Sequence, residues 1–176
     1  MVRSPPWVYQ STNFFAGSVF TKTIHSDTYD FIDSSKADHV GRSILVTGAS
    51  SGIGLATACS FVRAGASQIA LTSIEPFPTE VYEAISEAAR SCNHPPPTLL
   101  LYHLDVNDLK SISSTANAIT KASGRLDVLI NNAAFGKSGK FLDTDMKLYK
   151  SMIMLNLNSL VELSYLCLPE MLQKND

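Results

Sequence analysis

The sequence predicts an α/β protein built on a doubly wound parallel sheet, and three observations carry that reading. Short, continuous apolar runs alternate with segments of helical period in the order β-α-β-α-β-α-β-α. Strands that are apolar on both faces belong to a parallel sheet covered by helices above and below. The first apolar run, Ile44-Leu45-Val46, leads into a turn holding Gly48, Gly52 and Gly54, and an amphipathic helix follows. The composition is that of an ordinary globular domain with one core, at 176 residues, 45% hydrophobic and 17% charged.

The elements follow in order. Residues 1–40 show no sustained period; Trp7, Tyr9, Phe14, Phe15, Phe20, Tyr29, Phe31 and Ile32 are scattered among Ser, Thr, Asp and Pro. This predicts an irregular arm that packs aromatics onto a domain spanning 41–176. Strand one is Ser43 to Thr47, and the helix after Gly52 is expected to bury Ile53, Ala56, Phe61 and Ala64 and to end at Gly65. Gln68 to Thr72 is a second strand, which Pro76 and Pro78 prevent from continuing. A helix from Thr79, its expected cap, to Ser91 turns Tyr82, Ile85 and Ala89 inward. Pro95-Pro96-Pro97 is a stiff turn before a third strand, Thr98 to Leu104. Asp108 caps a helix running to Ala122, with Gly124 past its end. Asp127 to Ile130 is the fourth strand. The last helix runs from Asp145 to Gln173, about 43 Å at the usual rise, with Pro169 expected to kink its final turns. Right-handed crossovers then give a Rossmann-like strand order of 3-2-1-4, with the glycine turn at the crevice between strands 1 and 4.

Composition narrows the functional classes. The formal net charge is -2 with no Lys/Arg run, so neither nucleic acid nor a membrane is an expected partner. Cys59, Cys92 and Cys167 are far apart and odd in number, which fits buried thiols of a reducing compartment better than a disulfide framework or a zinc site. His25, His39, His94 and His103 match no metal-ligand spacing, and no metal is expected. The N-terminus lacks a signal-peptide core; its first 26 residues hold no acid and faintly resemble a transit peptide, but with a single arginine the expected location is the cytoplasm. The most apolar stretch, Met152 to Leu168, is interrupted by Asn156, Asn158, Ser159, Glu162 and Ser164 and reads as a buried helix of a soluble fold.

The glycine turn carries the chemistry. A strand-to-helix turn free of side chains presents backbone N–H groups and the positive end of a helix dipole to a pyrophosphate. Gly48 suits the tight turn, Gly52 the approach of backbone to phosphate, and Gly54 the close packing of helix on strand. The spacing is G-x-x-x-G-x-G.

With these residues in place, the sequence resembles the short-chain dehydrogenase/reductase family in its classical form. Thr47-Gly48-Ala49-Ser50-Ser51-Gly52-Ile53-Gly54 matches the family's T-G-x-x-x-G-I-G motif without departure. Leu104-Asp105-Val106 resembles the strand-three D-V that holds the adenine amino group. Asn131-Asn132-Ala133-Ala134 is similar to N-N-A-G, with Ala134 in place of the usual glycine, and Leu155-Asn156-Leu157 to the helix-borne V-N-L whose asparagine holds a water in the proton relay. The resemblance covers about residues 42–172. It implies a cofactor site of Thr47, Gly48, Ser50, Ser51, Gly52, Ile53, Gly54, Asp105, Val106, Asn132, Ala133 and Ala134, with Asn156 as a relay residue. It implies NAD or NADP as cofactor. Ser73 stands at the family's acidic position after strand two and Ile74 at its arginine position; Glu75 lies near enough to bind the ribose, which leans towards NAD.

The chain departs from the family in one respect. The family's tyrosine exchanges a proton with the substrate oxygen, and a lysine four residues later lowers its pKa. Here the residues at i+4 from the six tyrosines are Asn13, Asp33, Ser86, Val106, Ile153 and Pro169. The sequence stops at Asp176, where the family would begin its fifth strand and supply its serine. Three readings stand: the cofactor-binding portion of an alcohol/carbonyl oxidoreductase, inactive as an isolated chain; a non-catalytic dinucleotide-binding module; or a truncated product without function. Strand four would be an open edge, and Met152, Leu155, Leu163 and Leu166 of the last helix would be partly exposed, so self-association is expected.

Overall fold

A computed structural model describes residues 33–172 apart from Arg125. The aromatic arm expected over residues 1–40 lies almost wholly outside these residues. The compact unit that holds the sheet begins at Ser34.

Among the described residues the sheet has four strands: β1 (Ser43–Thr47), β2 (Gln68–Ser73), β3 (Thr98–His103) and β4 (Val128–Ile130). All pairings are parallel, in the order β3-β2-β1-β4. The expected topology is therefore observed. Among the described residues five α-helices accompany it: α1 (Gly52–Arg63), α2 (Thr79–Ser91), α3 (Leu109–Ser123), α4 (Met146–Ile153) and α5 (Ser159–Leu172). All five residues of β1 are buried, because this strand lies between two others and is covered on both faces. Alternation along it divides the core. Ile44 and Val46 join Ala58, Val62, Val81, Ile85 and Ala88 under α1 and α2. Leu45 joins Ile112, Ala116, Ile119, Leu163 and Cys167 under α3 and α5.

Asp127 is not a strand residue but a clasp at the start of the sheet. Its Oδ2 accepts from the Ser43 amide at 2.8 Å and its own amide donates to Ser43 O at 2.9 Å. Asp108 caps α3 as expected, accepting from the Lys110 amide at 2.9 Å, and Gly124 ends that helix in the left-handed conformation.

Three expectations are corrected. Ile53 is 79% exposed and Ala56 is exposed, because the face of α1 turned to the sheet is Gly54, Ala58, Cys59 and Val62. Tyr82 is exposed, the inward residue being Val81. Thr79 is the first residue of α2, and Pro78 occupies the cap position without a side-chain bond. Pro169 lies inside α5, in a last helical stretch that is not uniformly α-helical. Its irregularity is a π-turn over Met154–Asn158, closed by the Ser159 amide donating to Met154 O.

This last stretch, Met146–Leu172, is long and apolar enough to cross a membrane by length and composition. It is only partly the buried helix expected. Ser159, Leu163 and Cys167 face the sheet, while Ile153, Leu157, Val161, Tyr165, Leu168 and Leu172 face outward. Of the residues expected to be uncovered, Leu163 is buried and Met152, Leu155 and Leu166 are half-buried.

Candidate active site

The site is built from the carboxyl ends of β1, β2, β3 and β4. After Thr47 the chain turns at Gly48 with φ +62° and enters α1 at Gly52 with φ +58°, both in the region that favours glycine. A Cβ on Gly48 would lie 2.8 Å from the Ala133 Cα, and one on Gly54 2.5 Å from the Gly48 carbonyl oxygen and 2.6 Å from Asn132 Nδ2. The turn is therefore pinned between the start of α1 and the segment after β4. The Ala49 amide donates to Thr72 O at 3.0 Å, which ties it to β2 as well. Ser51 caps α1 in extended conformation without using its side chain, and no acid lies in the first helical turn. The first N–H groups of a twelve-residue helix are thus left to an external acceptor.

Thr47 and Asn132 form the clasp beneath this turn. The Thr47 hydroxyl donates to Ile130 O and accepts from the amides of Asn132 and Ala133 at 3.0 and 2.9 Å. Asn132 Nδ2 donates to Thr47 O and Gly48 O at 2.9 and 3.0 Å. Thr47 is 2% exposed, with its hydroxyl fully engaged, so it holds the loop and does not line the cavity.

A cavity of about 660 Å³ opens beside the turn. It is lined by Gly48, Ser50, Ser51, Ile53 and Gly54 from the turn, by Thr72 to Glu75 after β2, by Leu104 to Asn107 after β3, by Asn132 to Phe135 after β4, and by Ser151 and Leu155. Gly52 does not line it. At the β2 end the Ser73 hydroxyl donates to Ser50 Oγ at 3.0 Å and accepts from the Glu75 amide at 3.1 Å. The Glu75 side chain is exposed at the rim. At the β3 end, Asp105 Oδ1 accepts from the Asn107 amide at 2.9 Å, and the Asp105 amide donates to Ser111 Oγ at 3.1 Å. The charged residues in the lining are Glu75 and Asp105, with no cation among them.

Asn156 does not line this cavity, although Asn132, Ala133 and Ala134 also border the space that it does line. It lines an adjoining cavity of about 420 Å³ with Phe135, Gly136 and Leu160. Its Oδ1 accepts from the Phe135 amide at 2.9 Å and its Nδ2 donates to the Phe135 carbonyl at 2.7 Å. This fork mimics a strand pairing and fixes the segment after β4 to the π-turn. Both raised thiol pKa values lie in the core and not here; burial pushes Cys167 up to about 11 and also raises Cys59.

Sequence reasoning placed Gly48, Ser50, Ser51, Ile53, Gly54, Glu75, Asp105, Val106, Asn132, Ala133 and Ala134 in one cavity, and the structure brings them together there. Thr72, Leu104, Asn107, Phe135, Ser151 and Leu155 also line it without having been expected. Ser151 and Leu155 are four apart on one helical face, and Leu155 directly precedes Asn156, which was the available signal.

The short chain dehydrogenase family profile matches residues 42–176. The chain is 38% identical over 154 residues to the short chain dehydrogenase pigC of Monascus ruber, covering 87% of this chain and 50% of that protein. It is 38% identical over 164 residues to the short chain dehydrogenase mpl6 of Monascus purpureus, covering 90% and 54%. Among solved structures, a metagenomic short-chain oxidoreductase in complex with NADP superposes with a TM-score of 0.66 at 25% identity, over 77% of this chain and 59% of that one. A hydroxysteroid dehydrogenase from Escherichia coli gives 0.65 at 27% identity, over 80% and 56%. The chain belongs to the short-chain dehydrogenase/reductase family. It spans about half the length of the curated relatives it matches.

Proposed function

We propose that this chain is the dinucleotide-binding part of an oxidoreductase that transfers hydride between a nicotinamide cofactor and an alcohol or carbonyl. The observation that carries the reading is the cradle between Gly48 and the start of α1. The backbone there is closed to a Cβ at Gly48 and Gly54, open at Gly52, and ends in helix N–H groups that no side chain caps. This donor set suits a pyrophosphate. Ser50 and Ser51 border it, Asp105 and Val106 form the adenine end, and Leu155 and Ile53 are the apolar walls. When bound, the nicotinamide supplies the hydride acceptor or donor. Asn132 keeps the turn in shape, and Asn156 positions the Phe135 backbone beside it.

The site favours NAD over NADP. A 2′-phosphate would meet Glu75 with no lysine or arginine in the lining to balance it, whereas a 2′-hydroxyl can donate to that carboxylate. These 176 residues hold no tyrosine with lysine at i+4. As an isolated polypeptide they bind the dinucleotide and lack the family's proton donor. The free cysteines support a reducing compartment, the cytoplasm. The outward apolar side chains of α5 support self-association.

Calorimetric titration tests the assignment. NAD should bind about tenfold or more tightly than NADP, Glu75→Ala should narrow that gap, and Gly52→Val should abolish binding of both. Equal NAD affinity in the folded Gly52→Val variant would sink the phosphate-cradle reading.

A further inference from the structure

We propose that the turn between β4 and α4 is a docking surface for an anionic lipid bilayer. Phe141 and Leu142 are adjacent in a 3-10 turn, Phe141–Asp143, and are 67% and 92% exposed. The turn is built to hold them outward. The Phe141 ring stacks on Tyr149 at 5.0 Å, and the Tyr149 hydroxyl donates to Phe141 O at 3.1 Å. The Asp143 amide donates to Lys140 O at 3.1 Å, and Thr144 Oγ1 donates to the same carbonyl at 3.2 Å. Two exposed apolar side chains on a hydrogen-bonded turn fit insertion into an interface.

Charge selects the occupant. Lys137 and Lys140 precede the turn, and Lys147 and Lys150 follow it on α4, whose Tyr149 stack joins the two segments. All four are exposed, and among the described residues none takes part in an ion pair. Asp143 and Asp145 are the acids between them, and one Asp145 oxygen is already taken by the Lys147 amide. The whole-chain charge of -2, which argued against a membrane, averages over this local excess. Residues 151–172 carry no lysine or arginine and include Glu162 and Glu170, so an anionic surface attracts the turn and not the apolar side of α5. A pair of exposed apolar side chains is also too small for a stable protein interface. A cytoplasmic leaflet provides both an acyl boundary and negative headgroups.

Vesicle flotation of the full 176-residue chain tests this, since flotation separates bound protein from aggregates that sink. The chain should float with phosphatidylcholine vesicles containing phosphatidylserine, fail to float with phosphatidylcholine alone, and be released by high salt. Phe141→Ser with Leu142→Asp should weaken partitioning ~tenfold or more, and Lys140→Glu with Lys147→Glu should do the same. Leu157→Asp with Val161→Asp should leave it unchanged. No flotation at low salt, equal flotation on neutral vesicles, or loss only in the α5 variant would each overturn the proposal. The salt and lipid arms need no variant, and circular dichroism confirms that each variant is folded.

Discussion

Replacing Gly54 with alanine separates a close backbone approach from ordinary helix propensity. In an unhindered helix interior the change stabilises by about 1 kcal/mol, because glycine loses more backbone freedom on folding. Here the added methyl would lie 2.5 Å from the Gly48 carbonyl oxygen, 2.6 Å from Asn132 Nδ2 and 2.9 Å from the Ala49 Cα. Two of those atoms are backbone in a turn tied to β2 and β4, so they have little room to yield. Overpacking of this kind costs about 1–3 kcal/mol. Displacing Asn132 loses its two bonds to Thr47 O and Gly48 O, each contributing about 0.5–1.5 kcal/mol. The expected net is a destabilisation of about 1–5 kcal/mol, opposite in sign to the propensity effect. Urea denaturation followed by circular dichroism reads it. Gly136→Ala is the control, since a Cβ there meets nothing within 4 Å. An unchanged or raised midpoint for Gly54→Ala would refute the claim that α1 is pressed onto the turn.

Two further outcomes are expected. Asn156→Ala should abolish hydrogen-exchange protection of the Phe135 amide with a stability loss of about 1–2 kcal/mol; Asn156→Asp should not restore it, because a carboxylate would face the Phe135 carbonyl. An Asn156→Asp variant with full protection would show that the fork is not what holds that segment. For the thiols, Cys92 should react with a disulfide reagent well before Cys59 and Cys167, both buried. The Cys167 thiol rises from its ordinary 9.0 to about 11 in the folded chain, so the unfolded chain loses its proton first. Its contribution to stability is present below pH 9.0 and lost as pH rises towards about 11, which denaturation midpoints across that range will show. A flat profile would contradict the burial of Cys167.

The parts of the fold legible in the sequence are those where one local rule acts alone. The continuous apolar run Ile44 to Val46 identifies a strand covered on both faces, and Asp108 before Leu109 identifies a cap. Where two neighbours compete, the pattern misleads. Ile53 is apolar and in register for the core, but Gly54 must contact the turn, and that rotation of α1 sends Ile53 into the cavity wall. Tyr82 and Val81 are adjacent candidates for one inward position, and the smaller side chain takes it. In the candidate site, the glycine turn was readable from its local spacing, and the asparagine segment through the family resemblance alone. Asn156 pairs with a backbone 21 residues away, a contact that depends on the π-turn and leaves no mark on hydrophobic periodicity. Ser151 enters the cavity for the same reason, since the helix that carries it is placed by tertiary packing.

The division of the core between the two faces of the sheet sets an order for assembly. The buried members of the cluster under α1 and α2 all lie between Ile44 and Ala89. Those under α3 and α5 run from Leu45 to Cys167. A chain emerging from the ribosome therefore holds every fully buried member of this layer once α2 is made, and Leu99, Leu101, Val128 and Ile130 pack against it later. The other layer must wait for the last helix to arrive. During that interval Leu45, Ala70 and the inner face of α3 are uncovered. A chaperone that recognises exposed apolar strands would engage this side of the nascent sheet, and pausing of synthesis beyond α3 would lengthen its residence there.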